Sequence, residues 1–162
     1  MIKKFLTILS VITVGYLAVS CEDDDICVEG STPNLTVVFR NNLNAANQAD
    51  TLTIYASANP DFNQQILIYE KVFSDSLKLP LGGLNDQETY FSIQRRSNST
   101  ADILTVSYNT QSEYVSKACG FRIVYENLNY QSTQHYIEYL IPSENQDLKD
   151  ETATNLRIAL SN

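Results

Sequence analysis

From Asn34 to Ser161 the apolar residues recur close to every second position, the spacing of half-buried β-strands, whose side chains point to opposite faces in turn. The pattern predicts nine strands: "NLTVVFR" (34–40), "TLTIYAS" (51–57), "QILIYEKVF" (65–73), "SLKLPL" (76–81), "TYFSIQR" (89–95), "DILTVSY" (102–108), "YVSKACGFRIVYENL" (114–128), "HYIEYLIP" (135–142) and "NLRIALS" (155–161). Val, Ile, Thr, Tyr and Phe dominate them, the types that fit a pleated, half-buried surface. Between them "NNLNAANQAD", "SANPDFN", "LGGLNDQ", "RRSNSTA" and "PSENQDLKDETAT" concentrate the residues that make turns.

Short strands separated this way imply an all-β fold, an antiparallel β-sandwich of eight or nine strands with immunoglobulin-like or transthyretin-like layering. The chain has no Trp, so one hallmark of antibody domains is missing. Alternation nominates the core faces: Leu35, Val37 and Phe39; Leu52 and Ile54; Phe91 and Ile93; Leu104 and Val106; Phe121 and Ile123; Leu156, Ile158 and Leu160. Cys119 shares the parity of Phe121 and Ile123, which points it toward the core as well, provided Gly120 does not introduce a bulge.

Ahead of the strands, Lys3 and Lys4 precede "FLTILSVITVGYLAV", an apolar run without an acid and too short to cross a bilayer comfortably. This is the plan of an export signal over residues 1–20. Ala18, Val19 and Ser20 lead into Cys21 and resemble the lipobox of bacterial lipoproteins, with Leu17 standing one place early. That resemblance implies cleavage before Cys21 and lipidation of its thiol. Two or three acyl chains hold a protein stably, whereas one does so only marginally. Residues 21–33 then form an acidic tether and residues 34–162 a single domain. Without the two lysines, the net charge of −8 becomes −10, a balance that repels nucleic acid.

With Cys21 taken by lipid, Cys27 and Cys119 remain as an even pair in an oxidising compartment, and a disulfide between them is expected. The other reading is two free buried thiols. A bridge would close a loop of about 90 residues, worth roughly 4 to 5 kcal/mol in the chain-entropy account.

"SCEDDDICVEG", "KLPL", "TYFSI" and "DILTVSYNTQSEYVSKACGFRIVYENL" together resemble a family of small Bacteroidota lipoproteins catalogued as a domain of unknown function. The resemblance covers nearly all of the chain after the signal, and its most specific parts, "DDIC" and "YVSKACGF", carry Cys27 and Cys119. It implies a lipoprotein origin and an all-β domain, with no activity to transfer. "CEDDD" is similar to the export signal of Bacteroidota surface lipoproteins, which implies that Glu22, Asp23, Asp24 and Asp25 route the chain to the outer face of the outer membrane. A solvated tether on a periplasm-facing protein is the alternative.

Motifs for chemistry are scarce. The acids at 22–25 and in "ENQDLKDE" (144–151) lack the EF-hand pattern, and neither a zinc constellation nor a CxxC is present, so no metal or cofactor is expected. His135 is the single histidine, no serine sits in a GxSxG elbow, and "LGGL" reads as a turn rather than a phosphate loop. Tyr125, Tyr130, Tyr136 and Tyr139 cluster in the last third and suggest a binding face, although strand tyrosines are more often half-buried. "DTL" and "DSL" resemble the Bacteroidota O-glycosylation acceptor, which makes Thr51 and Ser76 candidates. The expectation is a non-enzymatic envelope lipoprotein that binds a protein or glycan partner. The alternatives are a structural subunit of an outer-membrane assembly and a carboxylate-dependent hydrolase.

Overall fold

The computed structural model describes residues 27, 30–41, 46–95 and 100–161. Cys21 and the acids from Glu22 to Asp25 therefore lie outside the described residues. Nine strands follow in order: β1 (Leu35–Arg40), β2 (Asp50–Ser57), β3 (Gln65–Ser74), β4 (Ser76–Leu79), β5 (Glu88–Arg95), β6 (Asp102–Ser116), β7 (Gly120–Ser132), β8 (Ile137–Pro142) and β9 (Leu156–Leu160). They form a four-stranded sheet, β4-β1-β9-β8, and a five-stranded sheet, β3-β2-β5-β6-β7. The sandwich is antiparallel throughout except where the first and last strands, β1 and β9, run side by side in parallel.

The alternation works as the period of two requires. Leu35, Val37, Phe39, Leu156, Ile158 and Leu160 point from one sheet, and Leu52, Ile54, Phe91, Ile93, Leu104 and Val106 from the other, all into one buried cluster. The chain changes sheets through a single residue, Asp75, between β3 and β4, and the Asp75 carbonyl accepts the Phe39 N–H at 2.8 Å.

One predicted strand is wrong in kind. "YVSKACGFRIVYENL" is not continuous: β6 runs on to Ser116, Lys117–Cys119 turn, and β7 starts at Gly120, whose φ of 69° is the left-handed conformation glycine adopts without strain. Phe121 is consequently 70% exposed instead of buried, and Cys119 sits half-buried in the turn rather than on a core face. Cys27 and Cys119 do form the disulfide, with Cα atoms 4.8 Å apart, so the bridge fastens the segment ahead of β1 to the tip of the β6–β7 hairpin.

One end of the sandwich is closed by carboxylates that are fully engaged. Asp102, at the head of β6, is completely buried and accepts the Thr133 hydroxyl at 2.6 Å and the N–H groups of His135, Tyr136 and Ile137 at 2.9 Å each. Burial alone would raise its pKa, but these four hydrogen bonds outweigh that and hold it near 2. The segment they gather is the crossover from β7 in one sheet to β8 in the other, so one carboxylate fixes the connection. Beside it Asp50 pairs with Arg95, which also donates to the Ser161 carbonyl.

Candidate functional site

The tyrosines do not form a binding face. Tyr125 and Tyr136 are buried, and their hydroxyls donate to the carbonyls of Gly82 and Ile93; Tyr130 is packed half-buried against the core, and only Tyr139 is exposed. A tyrosine with its ring in the core and a backbone acceptor for its hydroxyl is a structural residue. Thr51 is half-buried in β2, while Ser76 is exposed at the start of β4.

At the end opposite Asp102 the molecule opens instead. A cleft of about 620 Å³ is lined by Asn85, Asp86 and Gln87 from the β4–β5 loop, Glu88 from the start of β5, Asn109 from β6, and Asn127 and Asn129 from β7, among others. Adjoining it, and sharing Ala58, Asp86 and Glu88, is a more apolar trough of about 490 Å³ lined by Ile66, Ile68, Pro80 and Leu81. The two are one concavity, with amides and acids on one side and aliphatic side chains on the other.

Two local devices build it. Opposite Tyr108 of β6, strand β7 carries two residues, Asn127 and Leu128, between the paired positions Glu126 and Asn129. This bulge puts Asn127 at φ 55°, a conformation Asn tolerates better than most residues, and turns its side chain out to solvent while Leu128 stays in the core. The second device is a hydrogen-bonded knot around Gly82, whose N–H lies 2.9 Å from the Tyr108 hydroxyl and 3.0 Å from Thr89 Oγ1; its carbonyl accepts from Tyr125 at 2.9 Å. Tyr108 and Tyr125 meet edge to face at 5.0 Å. A Cβ at position 82 would fall 2.6 Å from Asp86 Oδ2 and 2.7 Å from the Tyr108 hydroxyl, so only glycine fits. Burial pushes the Tyr125 hydroxyl up to about 12 and raises that of Tyr108, so both remain neutral phenols that position the β4–β5 loop.

The amides above this floor are free to act. Asn85, Gln87, Asn109 and Asn127 make no side-chain hydrogen bond among the described residues, whereas Asn129 Oδ1 accepts the Tyr130 N–H at 2.8 Å. Each amide offers donors and an acceptor, the complement of a hydroxyl group. The two acids are engaged locally: Asp86 accepts the Gly83 N–H at 2.6 Å within the loop, and Glu88 accepts the Tyr90 hydroxyl on β5. The sequence marked "LGGLNDQ" only as a turn and carried no signal that Asn109 and Asn127 would meet it.

His135 approaches catalytic geometry in one respect, since its Nδ1 lies 2.9 Å from Asp102. Ser161 lines the same hollow of about 450 Å³, yet no hydrogen bond joins its hydroxyl to the imidazole among the described residues. An activated nucleophile needs that contact. Cys119, the other conceivable partner, is locked in the disulfide at the hairpin tip. Among the described residues no group of three His, Cys, Asp or Glu side chains is placed to hold a metal ion, and no helix is long and apolar enough to cross a membrane.

Fold and site together define a disulfide-fastened all-β sandwich with a polar cleft at the end opposite Asp102. Residues 51–160 match the family described as "Family of unknown function (DUF6452)", and the chain belongs to that family. No curated protein and no solved structure matches it.

Proposed function

We propose that this chain is a non-catalytic binding domain of the bacterial envelope, tethered by lipid on Cys21 to the outer membrane and exposed at the cell surface, and that the amide-lined cleft takes a neutral, hydroxyl-rich ligand of the glycan class. The observation that carries this reading is the pairing of four unengaged amides with an aliphatic wall in one concavity. Sugars present the same two chemistries: hydroxyls that both donate and accept, and C–H faces that pack on apolar side chains. A polyanion is disfavoured by the acidic surface, and a concave site suits a compact ligand better than a flat protein epitope.

Hydrolysis is the weaker reading. A general acid keeps its proton at neutral pH through burial, but Glu88 is exposed and Asp86 only half-buried. The address rests on the signal, Cys21 and the acids Glu22, Asp23, Asp24 and Asp25 in the sequence. The test is a neutral-glycan array probed with the wild-type protein and with an Asn85→Ala/Asn109→Ala variant: binding lost only by the variant supports the reading, and no wild-type binding to any neutral glycan contradicts it. Protease shaving of intact cells checks the address, since the surface reading requires release of peptides from residues 31–162 without leakage of a periplasmic marker.

A further inference from the structure

Cys119 closes the turn of the β6–β7 hairpin, and on the strands next to it Tyr114 and Phe121 face each other across the ladder. They are 56% and 70% exposed, and their rings meet edge to face at 5.4 Å. Phe121 is among the most exposed large apolar side chains of the described residues, and burying it in water-excluding surroundings would be favourable. Lys117 and Ala118 are exposed in the turn, and Glu113, next to Tyr114 on β6, is paired with Arg122 at 2.6 Å. An aromatic pair beside a lysine is the combination that settles at the boundary between headgroups and acyl chains.

Chain length says what meets this tip. Cys21 stands six positions before Cys27, and six residues span at most about 20 Å. Because the disulfide holds Cys27 against Cys119, a lipid on Cys21 keeps the tip within about that distance of the bilayer. We propose that the tip formed by Tyr114, Lys117 and Phe121 seats in the interface of the membrane that holds the anchor, so that the disulfide makes the tether an oriented mount. The inference rests on the lipid-tether reading. Two aromatic side chains suffice, since the anchor makes their contact intramolecular and supplies a high effective concentration. Asn109 is five positions from Tyr114 along β6, so the cleft would stand about 17 Å above the headgroups and open close to the surface.

The chain contains no tryptophan, so Phe121→Trp introduces a sole indole reporter at an exposed position. The probe is the full, membrane-extracted protein in vesicles of phosphatidylcholine and phosphatidylethanolamine, which carry no net charge to repel the acids at 22–25. The expected result is a blue-shifted emission that loses most of its intensity to lipids brominated near the headgroup. Phe73→Trp, 73% exposed and at the opposite end of the sandwich, should stay quenchable by aqueous iodide. Iodide quenching of both indoles alike, in protein that floats with the vesicles, overturns the seating while leaving the tether intact. A blue shift without bromolipid quenching that grows with protein-to-lipid ratio means that a second copy covers the tip, and also overturns it. Failure to float defeats the tether reading itself, and the seating with it.

Discussion

The two ends of the sandwich put polar side chains to opposite use. At the closed end the Asp102 carboxylate is wholly buried and engaged by Thr133 and three successive backbone N–H groups, and Asp50 is paired with Arg95. At the open end Asn85, Gln87, Asn109 and Asn127 face a cleft with no protein partner among the described residues. Strands β5 and β6 reach both ends, so the contrast lies in where each polar group sits along a shared scaffold. A buried charge survives only when its hydrogen bonds are complete, which makes the first set a requirement of folding. Exposed amides carry no such requirement and are available to a ligand.

Breaking the closed end should have the largest effect. Asp102→Ala leaves three backbone donors without their acceptor and is expected to cost about 4 kcal/mol, read as a lower denaturant midpoint with an unchanged slope. Ligand binding by the folded fraction should be unaltered; a loss below about 1 kcal/mol would mean water replaces the carboxylate freely and the end is not closed as described.

Acid sharpens the same comparison. The folded-state pKa of Asp102 is depressed to about 2 from an ordinary 3.8, so its contribution is present above about pH 4 and is lost as pH falls through 2. That interval should remove about 2 kcal/mol of wild-type stability, measured by denaturant titration at each pH. Asp102→Asn cannot lose it, and should show only the smaller slope left by exposed or half-exposed carboxylates such as Asp150 and Glu151, whose pKa values are also lowered.

At the open end the effects on stability should be smaller and those on binding larger. Gly82→Ala forces the Tyr108 hydroxyl or Asp86 aside, which is expected to cost about 1 to 2 kcal/mol by thermal melting and to displace the β4–β5 loop enough to abolish ligand binding. Asn127→Gly keeps the left-handed conformation and should leave stability within about 0.5 kcal/mol, while removing an amide from the cleft. Its binding should weaken by about 1 kcal/mol, the net worth of one hydrogen bond, by calorimetry with the ligand found on the array.

The closed end and the open end also differ in how far the sequence discloses them. Leu35, Val37, Phe39, Leu104 and Val106 announce their burial because alternation is a local property of the chain, and the nine strands follow from it. The β6–β7 turn escapes because "SKACG" has no Pro or Asn-Gly pair, and it is closed by the φ of Gly120, the Cys119 N–H donated to the Ser116 hydroxyl and the disulfide. Asp102 reads as an ordinary polar strand start, since its donors come from 31 to 35 residues further on. Tyr125 and Tyr136 look like an exposed cluster until Gly82 and Ile93 supply acceptors for their hydroxyls. The cleft draws its amides from the β4–β5 loop, β6 and β7, and its Asn127 faces out only because a bulge breaks the alternation there.

The most direct test of the two-ended account is an NMR titration of the folded protein with the tightest-binding neutral glycan, following side-chain NH2 signals and backbone amides together. The account predicts shifts in the side-chain amides of Asn85, Gln87, Asn109 and Asn127, with the Asp102-bound N–H groups of His135, Tyr136 and Ile137 unmoved. Shifts concentrated at His135 to Ile137, with the cleft amides silent, would contradict it.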